Sequence, residues 1–140
     1  MLLLSLSVAA LAASITCHAL DVHVAPMVGF TNRHLRSLLR IANPDSTLWT
    51  EMIKPAELLA ASESRQQSLL SRGADDGACV LQLGGDNADE LCDAIRLAED
   101  GGHGYARYDL NCGCPSVHSN APYGAALMRR PEHVLYLCDR

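Results

Sequence analysis

The chain has 140 residues and a net charge of −5, and 49% of its residues are hydrophobic while 19% are charged. This length fits one small domain or a part of a larger one. The composition excludes an intrinsically disordered chain and a collagen-like or coiled-coil rod. The acidic charge argues against nucleic-acid binding through a broadly basic surface, although a local basic patch is compatible with it.

The first 20 residues contain no Asp, Glu, Lys or Arg, and their apolar stretch from Leu2 to about Ala13 is too short to span a membrane. Small residues at Cys17 and Ala19 suit cleavage after Ala19, which indicates a targeting presequence, whereas the basic start of a secretory signal is missing. A wrongly assigned start codon and an extra apolar helix are the alternatives. We expect no stable membrane span, and a cytoplasmic location, or an organellar one if residues 1–20 are a presequence.

From Asp21 onward, short apolar runs alternate with helical patterns, as in βα units around a parallel sheet. A first strand is predicted over residues 22–26, and a turn at Gly29 separates it from a helix capped by Thr31 or Asn32. This helix ends at the Asn-Pro-Asp sequence of residues 43–45. Its apolar residues share one side at i, i+3 and i+4 spacing: Leu35, Leu38, Leu39 and Ile41 or Ala42.

The next two units follow the same plan. A second strand is predicted over residues 47–52, and Pro55 is placed as the first-turn proline of one helix over residues 56–70. A polar break at residues 73–77 precedes a third strand over residues 78–83.

The third helix is predicted to begin at Asp86 or Asn87 and to close at Gly101-Gly102. A fourth strand over residues 105–110 follows, and a last helix begins near Pro131. The sequence thus predicts an α/β fold with four βα units, about half of the eight that close a TIM (β/α)8 barrel. Residues 21–140 are expected to be the N-terminal half of such a barrel.

A self-contained doubly wound sheet of four strands is the alternative architecture. The unusual residues lie at the predicted carboxyl ends of the strands, where the ligand sites of both architectures assemble. They are Pro26-Met27, Glu51, Gln82 and the segment from Asn111 to Cys114.

Cys114 is the first candidate for chemistry, because it lies in a Gly-Cys-Pro-Ser turn after a predicted strand and its thiol can attack or donate a proton. The alternative is an inert thiol. Cys79 and Cys92 lie in apolar segments, where a reduced cysteine behaves as a small hydrophobe, so a disulfide framework is not favoured. A metal site built from Cys112, Cys114 and His118 lacks a second ligand pair, and we expect no metal.

Three further candidates leave a choice open. Gln82 is an amide at the end of an apolar strand, followed by glycines that would let a ligand approach, or it is satisfied within the strand end. Met27, beside Pro26, fills a core or contacts a ligand. Asn111 caps a turn or faces a ligand. Neither a GxGxxG nor a P-loop motif is present.

Five segments, in this order, resemble the tRNA-dihydrouridine synthases, flavin-dependent enzymes with a TIM-barrel catalytic domain. The segments are residues 24–36, 49–52, 81–85, 109–116 and 123–128. Each is weak alone, whereas five in register form a strong signal that spans essentially all of the chain after residue 21. The Thr-Glu-Met and Leu-Gln-Leu-Gly-Gly forms look most like the bacterial A-type branch.

The resemblance implies an FMN cofactor reduced by NADPH and a tRNA substrate whose D-loop uridines are reduced at the C5–C6 double bond. Gln82 would hydrogen-bond the edge of the FMN ring. The residues implied to lie against the ring are Pro26, Met27 and Val28.

The resemblance also implies the catalytic roles. Cys114 matches the cysteine that protonates C5 of the uracil after a hydride has reached C6, and a thiol with an ordinary pKa of about 8.5 can supply that proton near neutral pH. Asn111 matches a residue near the target uracil, which must be turned out of the folded tRNA.

Two departures from the family pattern stand out. Ala126 occupies a position where the family often has cysteine. The family's flavin-contacting lysine, substrate-side histidine, phosphate-binding loops and helical tRNA-binding domain would all follow residue 140, so we expect the 140-residue chain alone to be inactive. The rival interpretations are another FMN barrel oxidoreductase, similar to dihydroorotate dehydrogenase, and a non-catalytic RNA-interaction or assembly remnant.

Overall fold

The computed structural model describes residues 21–73, 77–115 and 123–140. The predicted presequence, residues 1–20, lies outside the described residues, and so does His118 of the disfavoured metal set.

Four parallel strands form the sheet, and their order in space is their order along the chain. The strands are β1 His23–Val24, β2 Thr47–Trp49, β3 Cys79–Leu83 and β4 Arg107–Leu110. A doubly wound sheet reverses its strand order at a switch point, whereas a TIM barrel adds each strand beside the previous one. The chain therefore forms about four βα units of a TIM-barrel fold, as predicted.

In the described part of the chain, five α-helices and one 3₁₀ helix connect and follow the strands. They are α1 Arg33–Ala42, α2 Pro55–Leu59, α3 Glu63–Leu69, α4 Ala88–Asp100, the 3₁₀ helix Gly124–Arg129 and α5 Pro131–Cys138. The sequence predicted one helix over residues 56–70, and this was wrong. The chain turns between α2 and α3, where the carbonyl of Leu58 accepts both the backbone N–H of Ala61 and the side chain of Gln66, each at 3.2 Å.

Asparagine side chains fix where two of the helices begin. Asn32 Oδ1 accepts the backbone N–H groups of His34 and Leu35 at 3.0 and 3.2 Å. Asn87 Oδ1 caps α4 through the N–H groups of its first turn, the nearer at 3.0 Å. Each cap satisfies donors that have no partner inside the helix, so these two residues, of the two alternatives predicted at each site, are the caps.

The hydrophobic core lies between the sheet and the helices α2, α4 and α5. Side chains alternate across a strand, so Leu81 and Leu83 of β3 point into this core. Ala94 and Ala98 are fully buried and let α4 pack close to the sheet. The other buried members of the core are Ile53, Leu58, Leu70, Ala88, Leu91, Leu127 and Leu137.

The opposite, concave face of the sheet carries a different set of residues. Gln82 of β3 pairs in register with Asp109 of β4, and both belong to this face. The rings of His23 and Trp49 lie 5.4 Å apart between β1 and β2. In a closed barrel this face lines the interior, so polar groups here lie near any ligand bound at the carboxyl edge.

Helix α1 buries arginines and exposes part of its apolar side. Arg36 and Arg40 are 3% and 9% exposed, whereas Leu38 and Ile41 are 62% and 81% exposed. The apolar spacing predicted the helix correctly, but it does not identify the buried side. Arg40 is buried because its guanidinium donates to the carbonyl of Ser46 at 2.6 Å and to that of Ala78 at 3.4 Å, and these bonds offset the cost of burying the charge.

Arg72 makes the equivalent connection one strand further along. It donates to the carbonyls of His103 at 2.9 Å, of Gly77 at 2.5 Å and of Gly104. The two arginines therefore join the loops that precede β2, β3 and β4 at the amino edge of the sheet. Among the residues that the structure describes, no helix combines the length and the apolar character needed to cross a membrane.

Candidate active site at the carboxyl edge of the sheet

A tight turn follows β1 and fixes the backbone after Pro26. The carbonyl of Met27 accepts the N–H groups of Phe30 and Thr31 at 3.0 and 2.9 Å. The buried Thr31 hydroxyl accepts from the Met27 N–H at 2.9 Å and donates to the Met27 carbonyl at 3.1 Å. The turn leaves Met27 and Val28 on the surface, 44% and 64% exposed.

The end of β2 connects this turn to β3. Glu51 Oε1 accepts the N–H of Gly29 at 2.5 Å. Thr50 is 2% exposed, and its hydroxyl donates to the Glu51 carbonyl at 2.7 Å and accepts the Gln82 N–H at 3.1 Å. Glu51 stood out in the sequence by its position, whereas Thr50 belonged to the Thr-Glu-Met form of the family resemblance and no role was predicted for it.

A chain of side-chain hydrogen bonds joins the residues predicted on β3 and β4. The Gln82 amide, 6% exposed, donates through Nε2 to Asp109 Oδ2 at 2.7 Å. Asn111 Nδ2 donates to Gln82 Oε1 at 2.9 Å, and Asn111 Oδ1 accepts the backbone N–H of Cys114 at 2.9 Å. We call this set, from Asp109 through Gln82 and Asn111 to the Cys114 N–H, the amide chain.

The amide chain brings three of the predicted site residues together: Gln82, Asn111 and Cys114. Asp109 belongs to the segment of residues 109–116 that resembles the family, but no role was predicted for it. Its signal in the sequence is its position two residues before Asn111, which places both on one face of β4 and its extension.

The 3₁₀ helix holds the Cys114 turn from the other side. The N–H of Gly124 donates to the Asn111 carbonyl at 3.1 Å, and the N–H of Ala125 donates to the Cys114 carbonyl at 2.9 Å. Gly124 has a φ of +67° and lies directly against the Cys114 backbone. The segment that includes Tyr123 was recognised only by resemblance, and the structure assigns it this supporting contact.

The two neighbouring thiols have different environments. Cys112 packs against the hydrophobic core, and burial, with smaller contributions from Cys138 and Asp109, raises the pKa of its thiol. Cys114 is partly exposed and sits on the polar amide chain. Both cysteines are partly exposed, and they differ in what surrounds them: the apolar core for Cys112 and the amide chain for the backbone of Cys114.

A cavity of about 370 Å³ opens on the concave face. Its lining includes Pro26 and Asp109, so the end of β1 and the Asp109 end of the amide chain border the same space. The remaining walls are His23, Ala25 and Trp49. A few polar groups among apolar walls are typical of small-molecule sites.

Val28 belongs to a different space. It lines a cleft of about 520 Å³ between α1 and the segment from Thr50 to Ser71, together with Lys54 and Glu57. Lys54 Nζ lies 2.5 Å from Glu57 Oε1, and this hydrogen bond raises the pKa of Lys54. The predicted ring-contacting set is therefore divided: Pro26 borders the concave cavity, Val28 borders the second cleft, and Met27 lies exposed on the turn between them.

Strands added in chain order, with a polar cluster and a thiol at their carboxyl edge, define an α/β protein of the TIM-barrel class. The sequence profile described as Dihydrouridine synthase (Dus) matches residues 23–139. The chain belongs to the dihydrouridine synthase family.

Curated relatives agree with this assignment. The chain is 33% identical over 118 residues to a tRNA-dihydrouridine(20/20a) synthase of Vibrio parahaemolyticus, an alignment that covers 84% of this chain and 34% of the relative. It is 38% identical over 112 residues to proteins of the same name from Xylella fastidiosa and from Synechocystis sp., covering 79% of this chain and 32% of each relative. The chain thus spans about a third of the length of these relatives.

Proposed function

We propose that this chain supplies the N-terminal part, residues 21–140, of the FMN-binding barrel of a tRNA-dihydrouridine synthase. The enzyme would reduce the C5–C6 double bond of D-loop uridines with reducing equivalents from NADPH. The names of the curated relatives specify positions 20 and 20a of tRNA. One observation carries the proposal: the amide chain connects the buried Gln82 to the backbone of Cys114 at the carboxyl edge of the sheet.

The residues at this edge fit a flavin ring. The concave cavity has apolar walls at Ala25, Pro26 and Trp49, and its volume lies in the range of small-molecule sites. Gln82 uses one amide hydrogen for Asp109, which leaves its second Nε2 hydrogen for a carbonyl or ring nitrogen. Met27 is exposed on the adjacent turn, where it can close over one side of a bound ring, whereas Val28 borders the second cleft.

When bound, reduced FMN would supply the hydride that reaches C6 of the uracil. Cys114 then donates its thiol proton to C5, so that one hydride and one proton account for the two hydrogens added. Asn111 holds the Cys114 turn through Oδ1, and its second Nδ2 hydrogen can donate to a uracil carbonyl. The uracil would have to leave the tRNA stack to reach this edge.

The experiment measures dihydrouridine directly. The natural protein that carries these 140 residues is purified, its flavin absorbance is recorded, and it is incubated with NADPH and an unmodified tRNA transcript. Mass spectrometry of the digested nucleosides should show dihydrouridine. Flavin without dihydrouridine would indicate a different flavin oxidoreductase, and absence of both would indicate a non-catalytic protein.

The control variants separate chemistry from cofactor binding. Cys114→Ala should abolish dihydrouridine formation while the protein keeps its flavin, because the thiol donates a proton and does not hold the cofactor. Cys92→Ala removes a partly buried thiol on α4, outside the amide chain, and should leave turnover unchanged. Loss of flavin in Cys114→Ala would give that residue a structural role, and unchanged turnover would remove it from the mechanism.

A further inference from the structure

We propose that Asp109 is a positioning residue, which sets the orientation of the Gln82 amide and, through Asn111, the position of the turn that carries Cys114. The inference rests on the proposed function only in taking Cys114 as the proton donor. The contacts of Asp109 within the amide chain do not depend on that assignment.

The two ends of the amide chain fix its direction. At one end, the backbone N–H of Cys114 can only donate, so the Asn111 atom that faces it must be Oδ1. Asn111 therefore presents its NH₂ group to Gln82, and the Gln82 atom that accepts this hydrogen bond must be Oε1. Gln82 then presents Nε2 to Asp109, whose carboxylate can only accept. Every group has one consistent orientation, and donation runs from Cys114 to Asp109.

Asp109 is the group that makes this orientation strong. Its bond to Gln82 is the shortest of the three side-chain bonds, 2.7 Å, and the only one in which a partner is charged. Hydrogen bonds to an ionised acceptor are about twice as strong as neutral ones. Without the carboxylate, a Gln82 amide that is 6% exposed has no fixed acceptor for Nε2, and its rotation would take Oε1 away from Asn111.

The strands hold Asp109 rigidly in place. Gln82 and Asp109 are register partners in the β3–β4 ladder, so their separation is set by backbone hydrogen bonds. Sites whose supporting groups lie on strands are more precisely held than sites supported by loops. Cys114 itself lies in a loop, and the hydrogen bonds of the amide chain hold that loop in a fixed position relative to β3 and β4.

The test measures the exposure of Cys114 and turnover in the same variants of the natural protein. Asp109→Asn keeps the shape but removes the charge, and we expect Cys114 to react with iodoacetamide about fivefold faster, since a weakened chain releases the turn. Alkylation is followed by peptide mass spectrometry with Cys92 as the internal reference thiol. The turnover number for dihydrouridine formation should fall while the KM for tRNA stays unchanged, because the thiol is displaced and the tRNA surface is not.

A double-mutant cycle distinguishes positioning from a general loss of stability. In a Gln82→Leu background the amide chain is already broken, so Asp109→Asn should then change the Cys114 rate by less than about twofold. An equal effect in both backgrounds would overturn the proposal, because Asp109 would be acting by another route. Asp93→Asn neutralises an exposed carboxylate on α4 that pairs with Arg96, and it should leave Cys114 unaffected.

Two further outcomes distinguish a folding defect, and a failure of the proposed function, from a failure of the positioning role. If Asp109→Asn does not fold, Gln82→Leu alone must raise the Cys114 alkylation rate, and an unchanged rate would overturn the proposal. Alkylation is measured without tRNA or NADPH, so it reports on the amide chain even if no dihydrouridine forms. Faster alkylation with no dihydrouridine in the unmodified protein would refute the proposed function and leave the positioning role of Asp109 intact.

Discussion

Substituting Gly124 by alanine should displace the Cys114 turn. Gly124 has a φ of +67°, a left-handed conformation that costs a residue with a Cβ about 1–2 kcal/mol. An added Cβ would also overlap the carbonyl oxygen of Cys114 and lie 3.3 Å from its carbonyl carbon. Both atoms are backbone, so the turn must move as a unit to make room.

Relieving this overlap would also remove the contacts between the 3₁₀ helix and the Cys114 turn. Moving the two apart breaks the bonds from Gly124 to Asn111 and from Ala125 to Cys114, each contributing about 0.5–1.5 kcal/mol. Together with the left-handed strain, the expected loss in the free energy of unfolding is about 2–5 kcal/mol.

Gly102 offers a matched control. Its φ is +65°, nearly that of Gly124, but no atom lies within 4 Å of the position a Cβ would take. Gly102→Ala therefore carries the left-handed strain alone, about 1–2 kcal/mol. Urea unfolding of both variants measures the difference, and iodoacetamide reactivity of Cys114 should rise only in Gly124→Ala. Equal destabilisation of the two variants, with equal Cys114 reactivity, would refute the contact between the 3₁₀ helix and the Cys114 turn.

Three other outcomes are expected. Gln82→Leu should weaken FMN binding by about 1–3 kcal/mol, because a buried polar edge of the ring loses its partner, and an FMN affinity equal to that of the unmodified protein in a fluorescence titration would contradict the ring site. The 140-residue chain expressed alone should form no dihydrouridine, because a TIM barrel commonly holds phosphate on loops after its seventh and eighth strands; a soluble monomer that binds FMN and reduces tRNA uridines would refute this. Burial, with a smaller contribution from Arg72, lowers the pKa of His103 below 6.5, so the unfolded chain binds a proton that the folded chain excludes, and stability should fall as pH drops through that value. His103→Gln should flatten the decline of the urea midpoint between about pH 7 and pH 5, and an unchanged decline would contradict this prediction.

The order of the elements followed from the sequence because the signals involved are local. The caps at Asn32 and Asn87 and the end of α1 at Asn43 depend on residues within one turn of the helix end. The break after α2 was missed because the pattern of apolar residues does not mark it; the side-chain bond that spans it, from Gln66 to the Leu58 carbonyl, is made by a polar residue.

The buried side of α1 could not be read from hydrophobicity for a related reason. Arginine is normally assigned to the surface, but Arg40 has carbonyl partners supplied by two loops distant in sequence. Such partners become visible only when the strands are placed side by side.

Part of the candidate site could also be predicted from local features of the sequence. Gln82 was predicted from its position at the end of a strand, and Asn111 and Cys114 from their positions after one; hydrogen bonds join the three in the structure. Asp109 and Thr50 were not predicted, because their importance depends on the register between neighbouring strands. A polar residue at a strand end can be recognised alone, whereas its partner across the sheet cannot.

The arginine bonds at the amino edge of the sheet determine which substitutions the loops there can accept. Arg40 and Arg72 bind main-chain carbonyls, which every amino acid supplies, so these bonds do not themselves require particular side chains in the loops. Gly77 and Gly104 are exceptions, because each has a positive φ and an added Cβ would lie within 3.3 Å of a guanidinium. The arginines themselves cannot be replaced in this way. Each guanidinium reaches several carbonyls with a planar set of donors, and the single ammonium of a lysine cannot reproduce that reach. At this edge of the sheet, substitutions are therefore expected to destabilise the fold most at the two arginines and at the two glycines that pack against them.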